Sequence, residues 1–137
     1  MTKTIASLSL TLSEAEVKRS VEEYLMYKQN LGQLMFLRLN SGELIAMAGK
    51  TRRRIKLCPP GTYDFVIFQA VKYELFHDGQ AFGLCKSRSA CRVTFVETKS
   101  SKGKTSKAQD EFAEEARKVN CRCFTIRDAD QLEEILE

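Results

Sequence analysis

Apolar positions along this chain change period several times, and each change marks an element. Val17, Val21 and Leu25, with Tyr24, repeat at helical spacing behind Ser13 and Glu16. Those two fit a capping box, in which each side chain satisfies an orphan backbone N–H. A first helix is predicted from Ser13, fading near Asn30–Gly32. QLMFLRLN (33–40) and ELIAMA (43–48) read as strands across the SG turn at 41–42, a predicted hairpin. CPPG (58–61) is a rigid turn. TYDFVIFQAV (62–71) and RVTFVETK (92–99) are rich in β-branched and aromatic residues and read as strands. Ser106 and Gln109 form a second S-x-x-Q box ahead of Ala108, Phe112, Ala113, Ala116 and Val119, the predicted inner side of a helix. CRCFTI (121–126) is a short strand. A last helix from about Asp128 turns Leu132, Ile135 and Leu136 inward.

Helix, strands, helix, strand, helix is the order of an α/β or α+β sandwich with one mixed sheet. The helix after Ser106 joins two strands, which predicts that these last two are parallel. The length, 137 residues, suits a single domain over 1–137. Residues 72–90 have the weakest pattern.

Charge changes this picture. The formal net charge is +4, yet the last ten residues carry five acids and no base. The bases gather at Lys50, Arg52, Arg53, Arg54 and Lys56, and again at Lys99, Lys102, Lys104 and Lys107. Such clusters suit a polyanion such as nucleic acid; taken alone, they also suit a solvated face. The five cysteines are odd in number and lack CxxC spacing, which fits reduced, small apolar residues better than zinc or disulfides. No apolar run reaches the ~20 residues that span a bilayer, and the N-terminal stretch is too polar for a signal peptide. A cytoplasmic protein with no membrane partner is expected.

Candidate chemistry lies at two strand ends. Glu97 and Lys99 stand two residues apart, so a strand puts both on one face. Asp64 opens another apolar strand. Two carboxylates set close together repel unless a cation intervenes. Mg²⁺ or Mn²⁺ held by Asp64, Glu97 and the carbonyl of Thr98 supplies one, with Lys99 beside the attacking water. Each piece also has a plain alternative. Asp64 can cap a turn, Glu97 and Lys99 can be an exposed alternation, and Gln109 can be a helix cap only. Glu14 stands in the first turn of helix 1, where the helix dipole favours an acid. Glu16, Glu22 and Glu23 are rival acids there, and the lone His77 reads as a turn residue.

G-x-x-D at Gly61–Asp64, E-T-K at Glu97–Lys99 and S-x-x-Q at Ser106–Gln109 resemble, in this order, the VRR-NUC domain of the PD-(D/E)XK nuclease superfamily. SEAEVKRSVEEYL (13–25) and RLNSG (38–42) extend the resemblance to about 13–137. It implies a restriction-endonuclease-like αβββαβ core and metal ligation by Asp64, Glu97, Thr98 and a first-helix acid, Glu14. It also implies catalysis by Lys99, with Gln109 at the active site. Members of this size, many from phages and bacteria, look like homodimers that cut branched or flapped DNA. Arg52, Arg53, Arg54, Lys102 and Lys104 are then candidate phosphate contacts. Tyr63 departs from the family, which usually has proline directly before the aspartate, and against the family residues 72–90 look like an insertion: a strand extension, a dimer contact or a DNA-contacting flap. A non-cleaving nucleic-acid-binding module on the same fold is the alternative, and a subunit binding an acidic protein is a third.

Overall fold

The computed structural model describes residues 11–75 and 86–137. Helix α1 (Glu14–Asn30) starts at the capping box of Ser13 and Glu16 and buries Val17, Val21 and Leu25. Strands β1 (Met35–Arg38), β2 (Glu43–Ala48), β3 (Thr51–Lys56), β4 (Phe65–Leu75) and β5 (Lys86–Thr98) follow. Helix α2 (Lys107–Lys118), strand β6 (Arg122–Ile126) and helix α3 (Gln131–Leu136) complete the order.

Four strands form a mixed sheet in the order β1-β4-β5-β6, while β2 and β3 pair only with each other. β1, β4 and β5 are antiparallel neighbours, and β6 runs parallel to β5. Strand alternation splits the core in two. Phe65, Ile67, Val96 and Ile126 pack with Val17, Val21 and Leu25 of α1 and Leu132 of α3. Tyr63 and Cys123, with Phe95, pack with Phe112, Ala113 and Ala116 of α2. The sheet therefore lies between α1 with α3 and α2, and the pairs Phe65↔Val96 and Thr98↔Ile126 align its strand ends.

Two details differ from the sequence reading. ELIAMA does not pair with 33–40; it pairs with the basic strand β3, from Glu43↔Lys56 to Ala48↔Thr51. The long-range ladder from Met35↔Phe68 to Arg38↔Phe65 claims β1 instead. Val119 is not on the inner side of α2. It is the C-cap of that helix and is 71% exposed. The described parts of 72–90 continue the β4–β5 ladder, from Lys72↔Ser89 to Leu75↔Lys86, so they extend two core strands. The HDG turn with His77 lies outside the described residues, as does Cys85. Cys58, Cys91, Cys121 and Cys123 are free thiols. Among the described residues, no helix is long and apolar enough to cross a membrane.

Candidate active site

The site is assembled where β4 begins and β5 ends. The register Phe65↔Val96 brings Asp64 beside the end of β5, and the turn before it fixes its approach. Thr62 closes that turn, its N–H and hydroxyl both bonded to the Pro59 carbonyl at 3.2 and 2.7 Å. Gly61, just before Thr62, has φ +89°, a left-handed conformation that L side chains rarely adopt. It also lies against α2, where an added Cβ would overlap the Ala108 carbonyl and come within 2.9 Å of the Ala108 Cβ. Tyr63, at the position where proline was expected, is buried, with its ring 5.3 Å from that of Phe112. Side-chain packing on α2 thus holds the turn where a proline ring would have stiffened it.

Asp64 is tightly held. Its Oδ2 accepts the Thr98 N–H at 2.9 Å and the Thr98 hydroxyl at 2.7 Å. Its Oδ1 lies 2.8 Å from Lys18 Nζ on α1. Thr98 therefore enters the site through its hydroxyl and N–H, contacts that the sequence reading, centred on its carbonyl, did not include. Lys18 was also missed. It lies one turn after Glu14 on the polar side of α1, and nothing local distinguishes it from its neighbour Arg19.

Glu97 is the buried acid, 3% exposed. Its Oε1 accepts from Gln109 Nε2 at 2.5 Å and from Lys99 Nζ at 3.1 Å. Its Oε2 is buried and has no hydrogen-bond partner among the described residues. Burial pushes the Glu97 carboxyl above its ordinary range, and the neighbouring Asp64 charge adds to this. The hydrogen bond and charge of Lys99 oppose the shift, as does the charge of Lys18.

Lys99 links the two layers, since its Nζ also lies 4.0 Å from Glu14 Oε1. The rival helix acids are engaged elsewhere: Glu16 in the N-terminal cap, Glu22 with Arg38 and Glu23 with Arg19. Gln109 also accepts the Ser106 N–H at 2.9 Å, so it serves as helix cap and acid clamp together.

The basic candidates divide into two groups. Lys102 and Lys104 are exposed on the loop after β5. Arg127 pins that loop by donating to the Ser100 and Gly103 carbonyls. Arg52, Arg53 and Arg54 lie exposed on β3. A groove of about 410 Å³ is lined by Lys18, Asp64, Asn40, Ser41, Leu57 and, from the start of the β2–β3 hairpin, Leu44.

Among the described residues no three acids, histidines or cysteines converge as a ready-made metal cage. The donor set still suits a hard cation that keeps several waters, which needs only one or two carboxylates. The unpartnered Glu97 Oε2 is the open position, and a carboxylate oxygen has lone pairs beyond those Asp64 already uses. Compared with protein-family models, curated proteins and solved structures, the chain matches none.

Proposed function

We propose that the chain is a Mg²⁺- or Mn²⁺-dependent DNA endonuclease of the VRR-NUC branch of the PD-(D/E)XK superfamily, selective for branched or flapped DNA. The observation that carries this reading is the buried, unpartnered Oε2 of Glu97, set beside Asp64 and Lys99. A purely structural acid in that position leaves a buried polar oxygen without a partner. A bound cation supplies one. The restriction-endonuclease-like core is part of the same reading. The succession α1, β1, β4, β5, α2, β6 supports it, with antiparallel pairing first and a parallel pair last.

Asp64, Glu97 and the Thr98 carbonyl would hold the metal, with Glu14 nearby as the helix acid. When bound, the metal supplies charge stabilisation for the phosphate and a nucleophilic water near neutral pH. The chain's own groups do the rest. Thr98 fixes the Asp64 rotamer, and Gln109 fixes that of Glu97. Lys99, 12% exposed and held 3.1 Å from Glu97, would offer its ammonium to the oxygen of a phosphate or of the attacking water. Lys102 and Lys104 contact phosphates from the loop, and Arg52, Arg53 and Arg54 from β3. Homodimerisation comes from the resemblance, and a monomeric mass by light scattering at micromolar concentration would remove it.

The test is a panel of junction, flap, nicked and linear duplexes incubated with Mg²⁺ or Mn²⁺ against an EDTA control. Metal-dependent cutting, greatest on branched substrates, is expected. Asp64→Ala and Glu97→Ala should stay folded and lose cleavage. Wild-type rates from either variant would overturn the assignment.

One observation favours a second reading. Lys18 already neutralises Asp64 at 2.8 Å, which suits a non-cleaving nucleic-acid-binding module on the same fold. Branched DNA bound but left uncut in both metals would decide for that module.

A further inference from the structure

The β2–β3 hairpin is an arm outside the main sheet, paired only with itself. Two strands alone are marginal in water, and burying apolar side chains is what normally stabilises them. Here Leu44, Ile45, Met47 and Ile55 stay 55%, 65%, 62% and 43% exposed. The register pairs Ile45 with Arg54 and Met47 with Arg52, so two apolar side chains and two guanidiniums share one face. From Glu43 to Lys56 the arm carries five bases against one acid. That acid, Glu43, engages Arg54 at 3.4 Å, while Arg52 and Arg53 form no ion pair among the described residues. The arm is rooted at the candidate site. Leu39 N–H bonds the Asp64 carbonyl at 2.7 Å, and Ser41 bridges Cys58.

We infer that this arm is a DNA wedge, which seats Ile45 and Met47 against unstacked bases at a branch point while the arginines hold the flanking phosphates. The inference rests on the reading of the chain as a protein that acts on DNA, and it assigns the branch selectivity to named residues. Its charge selects a polyanion. Its exposed apolar pair selects a polyanion with hydrophobic faces to offer, which is a nucleic acid with accessible bases. Apolar wedges flanked by Arg or Lys are a recurrent way to unstack a base step. In intact duplex that unstacking costs free energy; at a junction or flap the stacking is already interrupted. The same contact therefore favours branched over linear DNA with no base-specific hydrogen bond. Leu44 of the arm and Asp64 line one groove, so a strand diverging at the wedge has a path toward Asp64.

The experiment compares wild type with the double variant Ile45→Gln, Met47→Gln. Binding to a flap or junction and to a linear duplex of equal length is measured by anisotropy in EDTA, where no cutting occurs. Both side chains are exposed, so circular dichroism should be unchanged. Loss of about tenfold in branched-DNA affinity, with linear affinity unchanged, is expected, the order of one lost base contact. A 2-aminopurine at the branch should brighten with wild type and stay dim with the variant. Equal loss on both substrates, or no loss on either, overturns the wedge. A dimer that becomes a monomer in the variant also overturns it, by assigning the patch to a second copy of this chain. Binding in EDTA is independent of cleavage, so a wild-type protein that never cuts removes the nuclease reading and leaves the wedge standing.

Discussion

Gln109 Nε2 donates to Glu97 Oε1 at 2.5 Å while its own Oε1 accepts the Ser106 N–H. The side chain that closes the first turn of α2 thus also fixes the buried acid. Glu serves as well as Gln at this capping position. Gln109→Glu should therefore preserve the helix by circular dichroism, yet set a second carboxylate against Glu97. On the nuclease reading, cleavage should fall about 10- to 100-fold, as when an outer partner of a metal ligand is lost. Gln109→Ala should lose the clamp and half the box, costing about 1 kcal/mol in a thermal melt as well. A Gln109→Glu protein that cuts normally would show that the Glu97 contact has no catalytic weight.

The raised Glu97 carboxyl predicts a pH dependence of the metal-free fold. Its causes are burial first and the Asp64 charge second. The folded state holds this proton more tightly than the unfolded chain, whose ordinary value is 4.5. The contribution to stability is thus fully present below that value and lost as pH rises through the raised one. Glu97→Gln keeps the shape and removes the titration. Subtracting its melting-temperature profile from wild type should leave a downward step as pH increases above 4.5. Mg²⁺ should flatten the step at neutral pH in wild type. A wild-type protein that becomes more stable than Glu97→Gln across this window contradicts the desolvated acid.

Local signals made most of the elements readable. Ser13–Glu16 and Ser106–Gln109 each announce a helix within four residues, and both boxes are formed. The partner of ELIAMA was not readable, because SG before it and AGK after it offer two equally short hairpins. The choice is made by Phe65–Phe68, which claims β1 from 30 residues away. Asp64, Glu97, Lys99 and Gln109 were found because strand ends and caps leave marks in the sequence. Lys18 left none: its contact with Asp64 spans 46 positions and depends on how α1 lies across the sheet. The Thr98 hydroxyl was hidden for a related reason. A threonine inside an apolar strand looks like a β-former until the aspartate it holds is in view.

Gly61 sets the turn before Asp64 directly against the first turn of α2. At φ +89° and against Ala108, it admits no side chain without moving the turn or the start of α2. Gly61→Ala should destabilise by about 2 kcal/mol or more, combining left-handed strain with overpacking. On the nuclease reading, the move should also separate Asp64 from Gln109 and lower cleavage beyond what stability explains. Gly103, where the φ is unremarkable and the nearest atom is the Ser100 hydroxyl at 3.2 Å, is the control, with a smaller shift expected. Equal melting temperatures for Gly61→Ala and wild type would remove the close-approach argument.

Lys18 occupies one oxygen of Asp64 in the metal-free protein, at 2.8 Å with its side chain 28% exposed. A cation binding there competes with that ammonium. Lys18→Met should leave Asp64 with its two Thr98 bonds and cost about 1 kcal/mol or less, since the pair is partly solvated. Mn²⁺ affinity, read by electron paramagnetic resonance, should rise several-fold because no lysine has to be displaced. Removing any positive charge near the site also attracts cations, so a matched control is needed. Arg19→Met supplies it: the same charge is lost from the adjacent position, where Arg19 pairs with Glu23 and is 82% exposed. Tighter Mn²⁺ binding confined to Lys18→Met supports competition at the Asp64 oxygen. Equal gains in both variants reduce Lys18 to a background charge, and no Mn²⁺ binding in any of the three proteins favours the non-cleaving module.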